Sequence, residues 1–246
     1  MNNEQSQPRI TAFIHVYYPA LFSELLPYLE PLKNYATRFY FHLGSNFSLP
    51  QAQDLIQPHF PDCLLLQSPN TGKDIGGKLA LLELYRQLED RSDYMVLIHD
   101  KLSPQLLDGD TWRNQLLRIL EPQQVQAVIR HFETNPLTGI IGAAEHISNE
   151  FKTEEQIFHS TNNALLKTYI RELGLHNTDF RFIAGNIFWV RSTLFETFFT
   201  AHPPLFLRSR LEPGNVSDAR EGTHTHTLER VFSWIALDQG YTINGI

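Results

Sequence analysis

The sequence has little of what marks a secreted, membrane-spanning or nucleic-acid-binding protein. It contains a single cysteine, Cys63, so no intramolecular disulfide can form, which fits a reducing compartment. No apolar run approaches the roughly 20 residues that a helix needs to cross a bilayer. The first eight residues, MNNEQSQP, lack the basic and apolar segments of a secretory signal. We therefore predict a soluble, cytoplasmic protein, with docking at the inner face of a membrane left open.

Positive charge is also scarce. The chain carries 20 Lys and Arg against 27 Asp and Glu, a formal net charge of -7. A general nucleic-acid binder needs a clustered cationic excess to neutralise phosphates, so we predict no nucleic-acid partner. An anionic ligand then has to be held by a few local groups.

What the chain does contain is a regular alternation of strand-like and helix-like segments. Apolar, β-rich segments predict strands at 9–18, 37–43, 63–67 and 95–98, and helical periodicity predicts helices near 21–32, 51–57 and 81–88. Such alternation is typical of βαβ units, so we predict an α/β fold with a mostly parallel central sheet flanked by helices. At 246 residues and 42% hydrophobic, one large domain is expected over 9–246, after a disordered tail at 1–8. A continuation past residue 246 is left open.

The second half is less regular. Helices are predicted at 112–120 with Thr111 as N-cap, at 122–133, at 162–173, and around 228–236 with an end at Gly240. Strands are predicted at 140–143 and at 182–190, the latter interrupted by Gly185. Segments 145–160 and 203–220 are predicted to be loops.

Two polar clusters lie next to predicted strands. One is the turn at 70–77, and the other is His99-Asp100-Lys101, directly after the apolar run at 95–98. Ligands in open α/β sheets bind beyond the carboxyl ends of the strands, so we expect both clusters to line one crevice. In the turn, Gly72 lets the backbone approach a ligand, Asn70 and Asp74 can bond a base or ribose, and Lys73 can meet a phosphate. The alternative is a turn that merely connects a strand to a helix.

Asp100 has two interpretations: a turn or capping residue, or a contact for a ligand. A single carboxylate is a poor Mg²⁺ or Mn²⁺ site, because these cations prefer several oxygens. Either His226, Asp218 or Glu221 completes a divalent cation site with Asp100, or Lys101 and other cations neutralise a diphosphate without metal.

The last predicted helix carries a candidate base. His226, Glu229 and Arg230 lie three and four residues apart and share one flank. A partly desolvated Glu229 can act as a general base toward a hydroxyl, whereas the alternative is an ion pair with Arg230 or His226 on a solvated face. Trp189 is either a core residue or a platform for a sugar ring.

Several motifs together resemble one family. They are HVYYP at 15–19, NTGKDIGG at 70–77, IHDKLS at 98–103 followed by Trp112-Arg113, AGNIFWVR at 184–191 and EGTHTHTLERVF at 221–232. In order and approximate spacing they resemble the rhamnan synthesis protein F family of glycosyltransferases, over nearly the whole chain. Two positions differ from that family's pattern: Glu221 replaces the usual Asp before Gly-Thr, and the acidic pair is reduced to Asp100.

The resemblance implies a GT-A-like fold, a nucleoside-diphosphate sugar such as dTDP-rhamnose as donor, and a glycan or lipid-linked glycan as acceptor. It implies inverting transfer with Glu229 as the base, because in many inverting enzymes of this fold the base precedes a helix that ends in Gly-Tyr, here Gly240-Tyr241. Donor-binding residues would be Asn70, Gly72, Lys73, Asp74, Asp100 and Lys101. Acceptor- or sugar-binding residues would be Trp189, Glu221, His226 and Arg230, and a Mg²⁺ or Mn²⁺ ion would use Asp100 and His226. The alternative function is a catalytically inactive glycan- or nucleotide-binding module of a polysaccharide assembly system.

Overall fold

The structure, a computed structural model, describes residues 7–100, 109–218 and 220–246. Within these ranges the strands are β1 (Arg9–Val16), β2 (Ala36–Leu43), β3 (Leu64–Gln67), β4 (Tyr94–His99), β5 (Thr138–Gly142), β6 (Ile147–Ser148), β7 (Phe151–Lys152), β8 (Ile157–Phe158), β9 (Phe182–Ile183), β10 (Phe188–Arg191) and β11 (Thr242–Gly245). The helices are α1 (Phe22–Leu29), α2 (Leu49–Leu55), α3 (Lys73–Gln87), α4 (Gly109–Leu117), α5 (Pro122–Thr134), α6 (Asn163–Leu173), α7 (Ser192–Ala201), α8 (Pro204–Arg208) and α9 (His224–Asp238).

The centre of the fold is a seven-stranded sheet in the order β11-β5-β10-β4-β1-β2-β3. All neighbouring strands are parallel except β10, which is antiparallel to both β4 and β5. Helices pack on both faces, and two apolar clusters of buried residues lie on opposite sides of the sheet. Every residue of β4 is buried, as expected of a strand covered on both faces. The predicted mostly parallel α/β architecture is confirmed.

The glycine-bearing segment 70–77 differs from its prediction as a turn. Helix α3 already begins at Lys73, so Asp74, Gly76 and Gly77 lie in its first turns. A Cβ on Gly76 would lie 1.7 Å from the carbonyl oxygen of Thr71, so this glycine permits the tight entry into the helix. The two glycines therefore serve close packing within a helix.

The predicted single strand at 182–190 is two strands in two sheets. Gly185, with φ +82°, separates β9, which pairs with β6, from β10 in the central sheet. The predicted loop at 145–160 contains the short strands β6 to β8, and the predicted connection at 203–220 contains α8. Thr111 lies inside α4 and is therefore not its N-cap.

The other predicted elements agree in their boundaries to within a few residues, whereas α7 has no counterpart in the sequence predictions. Ser48 and Gln51 form a capping box at the start of α2, and Gly174 ends α6 with φ +64°. No helix in the described ranges is both long and apolar enough to cross a membrane. The predicted tail at 1–8 lies outside the described residues up to residue 6, and its disorder stays a prediction.

Candidate functional site

A cavity of about 630 Å³ opens at the carboxyl ends of β1 and β4. Its lining comes from five parts of the chain: His15, Tyr17 and Tyr18 at the end of β1 and just after it; Asn70 and Lys73 to Ile75 at the start of α3; His99 and Asp100; Gly185 and Asn186; and Asn215 to Asp218 with Thr225, His226 and Glu229. The two polar clusters thus line one crevice, as the sequence predicts. A volume of this size suits a small-molecule ligand.

The direction of β10 supplies one wall of the cavity. Since β10 is antiparallel to β4, the residues before it lie at the same edge as the carboxyl ends of the parallel strands. Gly185 and Asn186 reach the cavity in this way. Asn186 adopts a left-handed conformation with φ +55°, which costs a non-glycine residue free energy and is often found at functional sites.

Segment 209–218 forms a second wall. The backbone N–H of Gly72 donates to the carbonyl of Glu212 at 2.8 Å, and that of Gly214 donates to the carbonyl of Asn70 at 2.7 Å. The side-chain amide of Asn70 also donates to Asn215 at 3.0 Å. The predicted loop is therefore tied to the start of α3 and lines the cavity with its residues 215–218.

Asp100 is buried at the end of β4. Its Oδ2 accepts hydrogen bonds from the backbone N–H groups of Tyr17 and Tyr18, at 2.7 and 2.5 Å, and so fixes the turn after β1. Its Oδ1 is buried and has no hydrogen-bond partner among the described residues. Burial raises the pKa of the Asp100 carboxyl to about 7, although the two backbone hydrogen bonds oppose the shift.

Beside Asp100 lies a buried charged cluster of Asp74, Lys78 and His99. The ammonium of Lys78, which is fully buried, lies 3.0 Å from Asp74 Oδ2, 3.1 Å from His99 Nδ1 and 2.7 Å from the carbonyl of Asn186. Burial by itself would raise the pKa of Asp74, but His99 and Lys78 hold it well below its usual range. Asp74 is therefore an ionised carboxylate whose charge is already compensated.

Unpartnered polar atoms mark the cavity as a site for a ligand. Within the part of the chain that the structure describes, Oδ1 of Asn70, Oδ1 of Asp100 and both side-chain polar atoms of Asn186 are buried without a hydrogen-bond partner. Buried polar groups in proteins are nearly always paired, because leaving one unpaired costs about 1–3 kcal/mol. Three such residues line one cavity, so their polar atoms are available to bond a polar ligand.

Glu229 lies on α9 and lines the cavity. Its Oε1 accepts a hydrogen bond from the backbone N–H of Gly185 at 2.8 Å, and its Oε2 accepts one from Arg230 at 3.0 Å. Both predicted alternatives are thus present in one residue: an ion pair with Arg230 and a carboxylate that reaches the cavity. The side chain is 18% exposed, so it is partly desolvated as a general base requires.

His226 also lines the cavity. Its Nδ1 lies 2.6 Å from the hydroxyl of Thr223, which caps α9, and 3.7 Å from Asp218. Burial lowers the pKa of His226, and the nearby Asp218 opposes this. The imidazole is therefore held in place by the helix cap.

Three predicted sugar-binding residues do not line the cavity. Trp189 is fully buried in the core, packed in the same cluster as Val96 and Ile141, which corrects the expectation that it contacts a sugar. Arg230 is 9% exposed and forms ion pairs with Glu150 and Glu229, so its role is to hold α9 in place. Glu221 is exposed and lies outside the lining of the cavity.

The described residues do not fit a complete metal site. Among them, no three His, Cys, Asp or Glu side chains group closely enough to hold an ion. Asp100 has one oxygen committed to two backbone N–H groups, so it offers a single oxygen, and Mg²⁺ or Mn²⁺ prefers several. No step of the proposed reaction is therefore assigned to a metal ion bound by Asp100 and His226. Lys101, a predicted diphosphate contact, lies outside the described residues.

The sequence patterns do not single out His15, Lys78 or Asn186. Lys78 lies four residues after Asp74, a spacing that favours an ion pair on a helix. This spacing could have identified Lys78 from the sequence. His15 sits within an apolar strand and Asn186 within a segment predicted as strand, so no local pattern sets them apart.

Comparison with known proteins gives one family. The family described as rhamnan synthesis protein F matches residues 1–241 of the chain. WxcX of Xanthomonas campestris pv. campestris, described as an uncharacterized protein, is 27% identical over 179 residues in strain B100 and likewise in strain ATCC 33913. Those residues are 72% of this chain and 24% of the relative. The matched region thus spans about a quarter of the relatives' length.

Proposed function

The chain belongs to the rhamnan synthesis protein F family, and on that premise we propose that it is a glycosyltransferase domain of cell-surface polysaccharide synthesis. The donor would be a nucleoside-diphosphate sugar, with dTDP-rhamnose as the first candidate, and the acceptor a hydroxyl of a glycan or lipid-linked glycan. The observation that carries this proposal is the cavity itself. It combines the polar start of α3 with the carboxylate of Glu229 at the carboxyl edge of the sheet.

The start of α3 suits the nucleotide and diphosphate. Gly72 and Lys73 are both left-handed, with φ +72° and +52°, so the backbone turns sharply at the point where α3 begins. Lys73 lines the cavity and supplies a cation for a diphosphate oxygen. Asn70 offers its unpartnered Oδ1 to a base or ribose donor group. A GT-A-like arrangement, with the donor across the strand ends, accounts for these positions.

Glu229 suits the role of base in an inverting transfer. It would take the proton of the acceptor hydroxyl while that oxygen forms a bond to the anomeric carbon. The bond between this carbon and the diphosphate breaks, and its electron pair leaves with the diphosphate. The hydrogen bond from Gly185 holds the carboxylate at the cavity wall, so the base is positioned before the acceptor binds.

The test is thermal stability in the presence of nucleoside diphosphates and their sugars, each with and without Mg²⁺ or Mn²⁺. A ligand that binds only the folded state stabilises it by mass action, by about 2.7 kcal/mol at a hundredfold excess over Kd. We expect dTDP or dTDP-rhamnose to raise Tm by several degrees. Comparing the samples with and without Mg²⁺ or Mn²⁺ shows whether nucleotide binding requires a divalent cation.

Two variants sharpen this test. Lys73→Met removes the cation at the cavity and should lose most of the stabilisation by a nucleoside diphosphate. Lys167→Met is the matched control, because Lys167 is exposed on α6 and lies outside the cavity lining. If neither dTDP nor any other nucleotide stabilises the folded wild-type protein, the transferase proposal is wrong, and a glycan-binding module becomes the better explanation.

A further inference from the structure

Two histidines meet beneath the cavity. His15 in β1 and His42 in β2 are register partners in the parallel sheet. Their Nδ1 atoms lie 2.8 Å apart, whereas the ring centroids are 4.9 Å apart and the ring planes differ by 22°. The rings therefore meet edge to edge in nearly one plane, as an N–H···N hydrogen bond requires. One of the two nitrogens must carry the proton and the other must accept it.

The direction of this bond is set from outside the pair. Arg208 donates to the hydroxyl oxygen of Ser68 at 2.8 Å, and a guanidinium can only donate. The Ser68 hydroxyl is then left to donate its own proton. His42 Nε2 lies 2.6 Å from this oxygen, while the alternative acceptor, the carbonyl of Pro69, lies at 3.5 Å. The hydroxyl oxygen has a second lone pair, so its bond from Arg208 does not fix the direction alone, but the shorter distance favours His42 Nε2 as the acceptor of the hydroxyl proton.

Both imidazoles are uncharged. Burial lowers the pKa of His15 to about 4, with the charges of Asp74 and Lys78 acting in opposite directions. Burial, together with His15 and Arg208, lowers the pKa of His42 to about 2. A neutral His42 that accepts at Nε2 carries its proton on Nδ1 and donates it to His15. A neutral His15 that accepts at Nδ1 carries its proton on Nε2.

The packing of α3 is adapted to this pair. A Cβ on Gly77 would lie 2.3 Å from His15 Nδ1 and 2.8 Å from His42 Nδ1. Such distances are far inside van der Waals contact, so glycine at this position allows the helix to cover the N–H···N bond. This close cover explains why water does not reach and compete for the two nitrogens.

We propose that Arg208, Ser68 and His42 form a chain of hydrogen bonds that fixes His15 in the Nε2–H tautomer and makes it an uncharged donor to a ligand in the cavity. His15 lines the cavity, and its other nitrogen is occupied by His42, so Nε2 is the atom that faces the ligand. Under the proposed function, on which this second part rests, the acceptor is an oxygen of the nucleoside-diphosphate sugar. His15 is then a binding residue, and the other three are positioning residues.

The tautomers can be measured directly. Long-range ¹H–¹⁵N correlation spectra of the ¹⁵N-histidine-labelled protein between pH 6 and 8 distinguish protonated from bare ring nitrogens. We expect His15 to be protonated at Nε2 and His42 at Nδ1, both uncharged over this range. The spectra of His15→Gln and His42→Asn assign the signals. Protonation of His15 at Nδ1, or a positive charge on either ring at pH 7, would overturn the proposal.

A pair of serine variants tests the direction of the chain. Ser68→Ala removes the donor to His42 Nε2, so the His15 and His42 signals should move from single tautomers toward a mixture. Ser209→Ala is the matched control, since Ser209 is adjacent to Arg208 and its hydroxyl donates to the carbonyl of Phe206. Unchanged tautomers in folded Ser68→Ala protein would show that Ser68 does not set them.

The ligand contact is tested with nucleoside diphosphates as probes. His15→Asn ends too short to donate where Nε2 lies, whereas His15→Gln is one carbon longer and places an amide N–H there. We expect His15→Asn to weaken binding about threefold to tenfold, the value of one hydrogen bond, and His15→Gln to restore most of it. Equal binding by the two variants would refute the contact. If no probe binds the wild-type protein, the proposed function and this contact fail together, and the spectra still decide the tautomer chain.

Discussion

The carboxylate of Glu229 in α9 accepts a hydrogen bond from the backbone N–H of Gly185, 44 residues earlier in the chain, at 2.8 Å. Gly185 takes a left-handed conformation just before β10, and a Cβ there would lie 2.7 Å from Leu116. The position of the candidate base therefore depends on a backbone conformation that suits glycine. The consequences of this and the neighbouring contacts can be tested one residue at a time.

Glu229→Gln should abolish most transfer while leaving donor binding and folding nearly intact. The amide oxygen can keep the bond to Gly185, and Arg230 keeps its ion pair with Glu150. Loss of a general base typically lowers the rate by about 10²–10⁴-fold. The measurement is sugar transfer or slow donor hydrolysis with the donor found by thermal shift.

The control for this variant is Glu196→Gln, the same change at a carboxylate that bonds Tyr85 and does not line the cavity. It should leave the rate unchanged. Full transfer activity in folded Glu229→Gln protein would rule out Glu229 as the base.

Asp100→Asn should stabilise the protein in a pH-dependent manner. Burial raises the folded-state pKa of Asp100 to about 7, above its value in the unfolded chain near 4. Between these values the folded state holds a proton that the unfolded state has released, so this group lowers wild-type stability as pH rises. The gain from Asp100→Asn should therefore grow from pH 4 to pH 7, by on the order of a few kcal/mol, and level off above.

Chemical denaturation at several pH values measures this gain. Asp54→Asn, the same change at an exposed position on α2, is the control. A stability difference between Asp100→Asn and wild type that does not vary from pH 4 to pH 7 would contradict an elevated pKa at Asp100.

Lys78→Met should destabilise the fold strongly at neutral pH. It leaves the ionised Asp74 with His99 as its remaining partner within a buried cluster, and breaking a buried ion pair costs about 3–5 kcal/mol. Asp74 has a depressed pKa, so its favourable contribution is present above the unfolded-state pKa and is lost as pH falls. The cost of Lys78→Met should shrink in acid.

Lys33→Met is the comparison for this variant. Lys33 Nζ lies 2.8 Å from Glu30 Oε1, close to the 3.0 Å between Lys78 and Asp74, but this ion pair is on the surface. That change should cost less than about 1 kcal/mol at any pH. Equal effects of the two substitutions in urea denaturation would show that the buried cluster has no special importance for stability.

Asn186→Gly should change stability and ligand affinity in opposite directions. Asn186 has φ +55° and its side chain has no hydrogen bond to any described residue, so glycine relieves the backbone and removes none of the bonds seen in the structure. We expect stability to rise by up to about 1 kcal/mol and nucleotide-sugar affinity to fall. Tm and binding isotherms give the two quantities.

Glu89→Gly provides the matched case, because Glu89 has φ +52° and lies outside the cavity lining. It should gain stability similarly and bind the ligand unchanged. Unaltered affinity in Asn186→Gly would show that the unpartnered amide does not contact the ligand.

The sequence predicts the long, periodic strands and helices well and misses the short elements, such as β6 to β8 and α8. β1, β2 and β4 are nearly continuous apolar runs, and their order along the chain predicts a mostly parallel sheet. The reversal at β10 is not visible in this way, since the interruption at Gly185 predicts a bulge or a close backbone approach within one strand and not a change of sheet. Only the packing shows that Gly185 separates two strands of two sheets.

Site residues that are close together in the sequence could be predicted. Site residues that come from distant segments could not. Asn70, Lys73, Asp74 and Asp100 belong to compact polar clusters at strand ends, which a general rule places at one crevice. His15, His42, Ser68 and Arg208 come from four separate segments with no common spacing, so only the folded chain joins them. Trp189 was expected to contact a sugar, but it lies in the core, as aromatic residues near a site often do.

The antiparallel strand has a consequence for synthesis on the ribosome. Because β10 lies between β4 and β5, the edge of β4 has no neighbour on that side until residue 191 has left the exit tunnel. A nascent chain from which β10 has not yet emerged thus exposes an apolar strand edge, which is prone to pairing with other chains. Chaperone occupancy should be highest at that stage and fall once β10 is inserted.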